Sequence, residues 1–267
     1  MAETGRGQRA ASRPDYGIDA PGIIRNLLLA GAGALLLAAL AARFLAGAAA
    51  ATAMAAASVA ASACLIEAAL MLLYAKRGKF RHRDRMLALR RWRGDEQVLD
   101  IGTGRGLLLI GAAKRLTGGR AVGVDIWNPG DLSGNAPERT RRNLVLEGVA
   151  DRCTLVDQPA QALGLPDASI DVVLSNLCLH NIPSHAERDQ ACRHIARVLK
   201  PGGQALISDF RFTADYADCL RRAGLAVSRS GPYLLDTFPP LRIVCAAKPA
   251  ARSSGGCNTG CAPAQSG

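Results

Sequence analysis

A glycine-rich loop after a short apolar run is the feature of the sequence with the clearest chemical potential. Residues 98–101, Val-Leu-Asp-Ile, have the pattern of a buried strand, and Gly-Thr-Gly-Arg-Gly at 102–106 follows them and opens a helical pattern. Glycine adopts positive φ readily and lets a ligand approach the backbone without a Cβ in the way. A dinucleotide loop needs G-x-G-x-x-G and a Walker-type loop ends in Gly-Lys-Ser/Thr, and this loop has neither pattern. It therefore indicates a ligand site of another type.

A carboxylate follows about 20 residues downstream, at the spacing of a ribose-binding acid. Asp125 ends the run 121–125, Ala-Val-Gly-Val-Asp, and Ile126 comes next. An acidic side chain at the tip of a second strand can accept hydrogen bonds from both ribose hydroxyls, and Ile126 can cover an adenine face. An isolated aspartate at a strand end is more often a cap or turn residue, but the preceding glycine loop makes adenosine binding the favoured interpretation.

Strands and helices alternate along the part of the chain that carries these residues. The predicted strands are 98–101, 121–125, 153–156, 170–174, 205–208, 226–229 and 242–246. The predicted helices between them are 106–117, 137–147, 186–199 and 214–223. This alternation predicts an α/β fold with a parallel sheet covered on both faces, whose ligands bind at the carboxyl ends of the strands.

These motifs resemble those of class I S-adenosylmethionine-dependent methyltransferases, over roughly residues 97 to 248. The segments 165–173 and 199–203 are similar to those that precede the fourth and fifth strands of that family. The resemblance implies a Rossmann-like, seven-stranded, mostly parallel sheet with an antiparallel last strand, and S-adenosylmethionine as the cofactor. The cofactor-binding residues that it implies are Asp100, Gly102, Thr103, Gly104, Gly106, Asp125, Ile126, Asp157, Gln158 and Asn176.

The predicted chemistry needs little acid-base machinery, because a sulfonium methyl is already a strong electrophile. Such an enzyme mainly holds the acceptor and the methyl group in line and excludes water. A hydroxyl acceptor would need a base, and His180, just beyond the fourth predicted strand, is the candidate, although a histidine that only lines or caps the pocket fits as well. Cys178 has no evident partner, so we expect a buried thiol there rather than a nucleophile.

The segment from Trp127 to Pro137 contains Asp131, Ser133 and Asn135 in a Gly/Pro-rich setting. A loop of this kind either forms a lid over the cofactor or is a solvated connection, and the sequence leaves both interpretations open. No metal site is predicted. The pair Cys257 and Cys261 lies in a Gly/Ser-rich tail that we expect to be disordered, where an inert tail competes with a soft-metal or metalloid role.

Two apolar stretches, 23–45 and 48–74, precede this domain, and each is long enough to cross a hydrocarbon layer of about 30 Å. A turn near Gly47 would join them into an antiparallel transmembrane hairpin, with Gly31 and Gly33 permitting close helix packing. Glu67 is costly in hydrocarbon, so we expect it to face the partner helix, to lie near the interface or to be protonated. A cleaved signal peptide is the competing interpretation of these stretches.

The net charge of +11 is concentrated beside the apolar stretches. Residues 1–93 carry a net charge of +9, whereas residues 94–267 carry only +2. Nine basic side chains between positions 76 and 93 predict contact with anionic lipid headgroups rather than with nucleic acid. The missing Asp/Asn-Pro-Pro-aromatic signature after Asn176 also argues against a nucleic-acid substrate. Basic residues on both flanks of the hairpin predict that both flanks are cytoplasmic, in an inner or plasma membrane.

The predicted organisation is a cytoplasmic N-terminal tail at 1–22, a transmembrane hairpin at 23–75, a basic juxtamembrane linker or helix at 76–96, a methyltransferase domain at 97–249 and a disordered tail at 250–267. The predicted function is membrane-anchored methyl transfer to a small or lipid-like acceptor. Two alternatives stay open: a methyltransferase of soluble metabolites, thiols or metalloids that is merely localised at the membrane, and a non-catalytic sensor of S-adenosylmethionine. The acceptor and the oligomeric state are not predicted.

Overall fold

The structure is a computed structural model that describes residues 13–250. Seven strands form one sheet in the order β3-β2-β1-β4-β5-β7-β6. The strands are β1 (Gln97–Ile101), β2 (Arg120–Asp125), β3 (Cys153–Asp157), β4 (Ile170–Asn176), β5 (Leu199–Asp209), β6 (Ala226–Tyr233) and β7 (Leu241–Ala247). β7 pairs antiparallel with both β5 and β6, and the pairs among β1 to β5 are parallel. All seven predicted strands are confirmed, as is the antiparallel last strand that the resemblance implies.

Seven α-helices accompany the sheet within the described residues. They are α1 (Pro21–Phe44), α2 (Gly47–Leu73), α3 (Lys79–Ala88), α4 (Leu107–Ala113), α5 (Pro137–Leu146), α6 (His185–Val198) and α7 (Thr213–Arg222). Leu99 and Val173 of the sheet belong to one apolar cluster with Ile195 of α6 and Leu220 of α7. A second apolar cluster contains residues of α3, α4 and α5 together with other sheet residues. The sheet is therefore covered on both faces, as predicted.

The helices α1 and α2 form the predicted hairpin, with a turn at residues 45–46. A Cβ at Gly31 would lie 3.0 Å from the side chain of Leu65, so α1 approaches α2 closely at this point. Gly33 was expected to contribute in the same way, but no atom lies within 4 Å of the position of its missing Cβ. Gly33 faces away from α2, and that part of the prediction is wrong.

Both hairpin helices are long and apolar enough to cross a membrane, with a mean hydropathy of 2.0 in their most apolar windows. Only 11% of each of these windows is buried, whereas a core helix of a soluble domain would be mostly buried. The large apolar side chains that they expose include Leu28, Leu29, Leu36, Leu37, Phe44, Val59 and Ile66.

The segment 76–96, predicted as a basic linker or helix, contains the helix α3 and packs against the sheet domain. One π-helical turn, Tyr74–Gly78, continues α2 into α3 without a break. Leu87 of α3 is fully buried, and a Cβ on Gly111 of α4 would lie 2.7 Å from it, so the two helices pack tightly. Three basic side chains of the segment form ion pairs: Lys79 with Asp19 before α1, Arg85 with Asp236 of the domain and Arg90 with Glu96 of the same segment. Arg93 is exposed but lies 3.6 Å from the Asp171 carboxylate of β4. The other exposed basic side chains are Lys76, Arg77, Arg81 and Arg91.

Residues 13–20, which we name the N-terminal strap, lie against the domain rather than forming a free tail. Tyr16 is 7% exposed, and its hydroxyl donates to Glu147 Oε1 at 2.6 Å. The Asp15 carboxylate pairs with Arg105 at 2.5 Å. Asp19 forms a β-bridge with Leu132, in the loop after β2. The strap therefore ties the start of α1 to the glycine loop and to the loop beside it.

Candidate active site

The glycine loop is held in place by Asp100, the last polar residue of β1. Its Oδ2 accepts hydrogen bonds from Thr103 Oγ1 at 2.8 Å and from the backbone N–H of Leu109 at 2.9 Å. Asp100 is 1% exposed, and burial raises its pKa to about 7. The backbone N–H of Gly102 donates to Val124 O, which joins the loop to β2. Asp100 and Thr103 thus stabilise the conformation of the glycine loop.

The glycines of the loop are required by the backbone and by its neighbours. Gly102 has φ 71°, and a Cβ there would lie 2.4 Å from Cys178 Sγ, in the turn after β4. Gly104 has φ 52°, and a Cβ there would lie 3.0 Å from Leu132. A side chain at either position would therefore strain the backbone, and at Gly102 it would also displace Cys178.

Asp125 lies beside this loop, as the sequence predicts. Its Oδ2 accepts a hydrogen bond from the backbone N–H of Gly104 at 2.7 Å. Its Oδ1 accepts from the N–H of Trp127 at 2.7 Å and from Asn135 Nδ2 at 3.4 Å. A carboxylate has about four lone-pair positions, so Asp125 can still accept from a ligand hydroxyl.

A cavity of about 190 Å³ lies between the glycine loop and the ends of β2 and β4, and we name it the cofactor cleft. The predicted cofactor-binding residues that line it are Gly102, Gly104, Asp125, Ile126, Gln158 and Asn176. Four others do not line it. Asp100, Thr103 and Gly106 belong to the framework of the loop, and Asp157 is exposed at the end of β3. Cofactor contacts by all ten residues stay predictions, and the position of six of them in the lining supports theirs.

The cleft is also lined by residues that the sequence analysis did not assign to the cofactor site. Asp19 of the strap lines it, together with Asp131, Leu132 and Asn135 of the loop after β2. That loop is therefore a wall of the cleft rather than a solvated connection. The only sequence signal for the strap is a tyrosine flanked by acidic residues in an otherwise Arg/Ala-rich segment, just before a proline that can start a helix.

Two asparagines give the cleft unsatisfied polar atoms. Asn135 Oδ1 and Asn176 Oδ1 are buried, and among residues 13–250 neither oxygen has a hydrogen-bond partner. Both residues line the cleft. An unpaired buried acceptor is costly, so these oxygens suit a ligand with N–H or O–H donors. Together with the remaining acceptor position of Asp125 and the Cβ-free backbone at Gly102 and Gly104, they fit an adenosine ligand that carries an amino group.

His180 lies just outside the cleft, in a fixed position. Its Nδ1 is 2.8 Å from Asp209 Oδ1, although the geometry there is not that of a good hydrogen bond. Asp209 is fully buried at the end of β5, and its Oδ2 accepts from the backbone N–H of His180 at 3.1 Å and from the hydroxyl of Tyr216 at 3.4 Å. The His180 ring contacts the Phe210 ring, with the centroids 4.6 Å apart. The ring nitrogen turned away from Asp209, Nε2, is the one left for a substrate.

A second cavity, of about 510 Å³, lies between the hairpin and the carboxyl ends of β4 and β5. We name it the hairpin chamber, and its lining includes Ile23, Asn26, Glu67, Met71, Tyr74, His180, Phe210 and Phe238. It shares Asp19, Asp131, Leu177 and Asn181 with the cofactor cleft, so the two cavities adjoin. Cys178 lines the cofactor cleft and is half-buried rather than fully buried, and desolvation raises the pKa of its thiol, which disfavours a thiolate nucleophile.

Residues 99–207 match the family described as a methyltransferase domain. The chain is 34% identical over 122 residues to a ubiquinone/menaquinone biosynthesis C-methyltransferase of Xanthomonas campestris. The aligned region covers 45% of each protein. It is 32% identical over 118 residues to a sterol 4-C-methyltransferase of Caenorhabditis elegans. This aligned region covers 44% of this chain and 32% of the sterol methyltransferase. The chain thus spans less than half the length of either relative.

Among solved structures, the [4+2]-cyclase SpnF superimposes with a TM-score of 0.52 at 19% identity, over 64% of this chain and 81% of that one. This likeness shows the fold alone. The family match carries the assignment further, because residues 99–207 include the glycine loop, Asp125 and the end of β4. The matched residues 99–207 are therefore a methyltransferase domain of the class I S-adenosylmethionine-dependent type, for which S-adenosylmethionine is the cofactor.

Proposed function

We propose that the protein is a methyltransferase that is anchored in a membrane by its hairpin and acts on a lipid-like acceptor. The observation that carries the proposal is the position of the cofactor cleft, which adjoins a chamber lined by the two membrane-length helices. The names of both sequence relatives refer to quinone or sterol chemistry, and lipid-like acceptors of that kind reside in membranes. Tethering to the bilayer would raise the local concentration of such an acceptor.

The hairpin supports anchoring with both ends on the side of the domain. The start of α1 is bound through the strap, and the end of α2 continues into α3, which packs on the sheet. The exposed basic residues Lys76, Arg77 and Arg81 follow the second span, where the positive-inside rule places cytoplasmic residues. We propose that the domain lies on the cytoplasmic face and that these side chains contact anionic headgroups.

When bound, S-adenosylmethionine supplies an electrophilic methyl group on a sulfonium. Asp125 would hold the ribose hydroxyls, and Ile126 and Gln158 would flank the adenine. Asn135 and Asn176 would accept hydrogen bonds from donor groups of the ligand, through the two oxygens that lack a partner. The chain thus contributes binding and orientation, which for a reactive methyl donor account for most of the rate enhancement.

His180 would supply the acid-base chemistry that a hydroxyl acceptor needs. Asp209 accepts from the backbone N–H of His180 and lies 2.8 Å from Nδ1, so it holds this residue in place, and Nε2 can take the proton that the acceptor loses. The negative charge of Asp209 also stabilises the imidazolium that forms. An acceptor that is already a good nucleophile would need His180 only for positioning.

A two-part experiment tests the proposal. The full chain in lipid nanodiscs is titrated with S-adenosylmethionine by calorimetry, and then incubated with a membrane extract and cofactor that carries a labelled methyl group. We expect saturable binding and label in the organic-extractable fraction. Binding without transfer to any fraction would contradict the proposal and support a cofactor sensor, whereas label confined to the aqueous fraction would indicate a soluble acceptor.

A further inference from the structure

The hairpin chamber has walls from two separate parts of the chain. Ile23 and Asn26 of α1 and Glu67 and Met71 of α2 line it on the hairpin side. His180 and Phe210 come from the ends of β4 and β5 on the domain side. Its volume of about 510 Å³ lies within the roughly 300–1,000 Å³ that small-molecule sites have. A ligand in this chamber would therefore contact the membrane helices and the catalytic edge of the sheet together.

The chamber ends where the cofactor cleft begins. Asp131, Leu177 and Asn181 line both cavities. His180, the candidate base, lines the chamber and not the cleft. A molecule in the chamber thus has the candidate base on one side and the cofactor cleft at its end, which is the arrangement that an acceptor requires.

Glu67 is the most informative residue of the chamber. It lies within the second membrane-length helix, its side chain is exposed, and among residues 13–250 no hydrogen bond or ion pair to it is found. An unpaired carboxyl group within a membrane span is costly, and such residues generally face a cavity and mark a substrate path. Glu67 does face a cavity, so we expect its partner to be the ligand of the chamber.

The other charged groups of the chamber are also acidic. Asp131 lines it, and burial raises the pKa of that carboxyl group. Asp19 lines it as well, and it is paired with Lys79 at 3.2 Å. Within residues 13–250, the lining contains no lysine or arginine. Hydrogen-bond donors and cations are therefore favoured as ligand heads, and phosphate or carboxylate heads are disfavoured.

The rest of the lining is apolar and aromatic. Ile23, Met71, Phe210, Phe238 and Pro239 surround the space beside the carboxylates. Alkyl chains and rings bury apolar area against such a surface. The chamber is thus suited to a molecule with one polar end and an apolar body.

We propose that the hairpin chamber binds the methyl acceptor, an amphipathic molecule whose head donates hydrogen bonds to Glu67, as an amine or a hydroxyl does. This inference rests on the proposed function. It makes the hairpin a wall of the acceptor site as well as an anchor, so that the acceptor enters from the bilayer that the hairpin spans.

Photolabelling tests this inference without depending on turnover. The full chain in nanodiscs of zwitterionic lipid is irradiated with long-chain alkyl probes that carry a diazirine and end in an amine, a hydroxyl or a carboxylate. Mass spectrometry then locates the labelled residues. We expect the amine or the hydroxyl probe to label Phe210, Phe238 and Met71 about tenfold more than the carboxylate probe does. Equal labelling by all three probes, or labelling confined to lipid-facing residues such as Leu36 and Leu37, would overturn the proposal.

Three variants sharpen the test. Met71→Trp fills the chamber, and Leu73→Trp places the same side chain two positions away, where the native leucine is 51% exposed and does not line the chamber. We expect Met71→Trp to reduce labelling of Phe210 and Phe238 about tenfold, and Leu73→Trp to leave it unchanged. Glu67→Gln should remove most of the preference for the amine over the carboxylate. Identical labelling patterns in the two tryptophan variants would overturn the proposal.

The proposed function fails separately from this inference. If the wild-type chain transfers no methyl group but its chamber residues are labelled with the expected preference, the chamber is a ligand site of a protein that is not a methyltransferase, and the acceptor assignment is overturned. If methyl transfer occurs and Met71→Trp changes neither labelling nor the KM of the extracted acceptor, the function stands and the chamber assignment is overturned.

Discussion

At the residue scale, Asp125 has two roles. It binds the glycine loop, and it lines the cofactor cleft. Its Oδ2 accepts from the N–H of Gly104, and its side chain also lines the cleft where ribose hydroxyls are expected. Hydrogen bonds to a charged acceptor contribute about 1.5–3 kcal/mol each. The carboxylate therefore matters for both the shape of the site and its affinity.

We predict that Asp125→Ala weakens S-adenosylmethionine binding roughly tenfold to a hundredfold, because the ribose loses its charged acceptor and Gly104 loses its anchor. Calorimetry on the full chain measures this effect. Asp218→Ala is the matched control, since Asp218 is exposed on α7 and pairs only with Arg221 on the same helix. Equal affinities for the two variants would contradict the site assignment.

His180 is expected to act on the rate and not on cofactor affinity. General-base catalysis contributes about 100-fold to 10,000-fold, so His180→Ala should lower kcat at least about 100-fold if the acceptor is a hydroxyl. The dissociation constant of the cofactor should stay within about twofold, since the side chain lies outside the cleft. A loss of cofactor affinity with unchanged kcat would instead indicate a residue that caps the cofactor.

The raised pKa of Asp100 leads us to predict a specific pH dependence of stability. Burial raises its folded-state pKa to about 7, against an ordinary value of 3.8, so the folded chain binds this proton more tightly than the unfolded chain does. Stability should therefore fall as the pH rises from about 4 to about 7, by a contribution on the order of 4 kcal/mol. Asparagine stays neutral and keeps an oxygen for Thr103 and Leu109.

We thus expect Asp100→Asn to flatten the pH profile of the melting temperature. The difference between variant and wild type should grow in favour of the variant from pH 4 to pH 7 and stay constant above. Thermal melts of both proteins in the same nanodiscs across this range measure it. Parallel profiles would show that Asp100 does not bind a proton in the folded state within this range.

At the scale of elements, the hairpin is joined to the domain through one continuous helical path. The π-helical turn after α2 places Tyr74 so that its hydroxyl accepts from Asn176 Nδ2, at the end of β4, at 3.4 Å. Gly78 closes the turn, and a Cβ there would lie 2.2 Å from the carbonyl oxygen of Asp236. The turn thus brings α2 close to the carboxyl end of β4.

Gly78→Ala should therefore destabilise the junction by about 1–3 kcal/mol, because the backbone of the facing loop must move. Gly33→Ala is the control: it lies in a helix with open space around it, and alanine is the better helix former there. We expect a melting temperature several degrees lower for Gly78→Ala and no decrease for Gly33→Ala. Equal melting temperatures would show that α3 is not packed against this loop.

The elements also show where sequence reasoning reaches its limit. The strands are predictable because β-branched runs alternate with helical patterns, and Asp125 is predictable because adjacent parallel strands end at the same edge. The packing of α3 on the sheet and the packing of the strap against the domain are not predictable from the sequence in this way. Lys79 donates to Tyr16 O and Asp19, and Arg85 binds Asp236, and such contacts between distant parts of the chain leave no local pattern. A run of basic residues therefore indicates a membrane flank but does not show which members bind the domain.

At the scale of the whole molecule, the cofactor cleft adjoins the hairpin chamber. The candidate base and the two membrane-length helices line that chamber. No single motif predicts this arrangement, because Glu67 and His180 are separated by more than a hundred residues in the chain. Cys257 and Cys261, for which the sequence left a soft-metal role open, lie outside the described residues.

The most direct test is mass spectrometry of the lipid extract from cells that overproduce the full chain. Cells with the wild-type protein should accumulate at least one organic-soluble species that is heavier than its precursor by one methylene unit. Cells with equal amounts of Asp125→Ala should accumulate far less of it. Extracts from the two cultures that do not differ in any such species would contradict the account of a membrane-anchored methyltransferase.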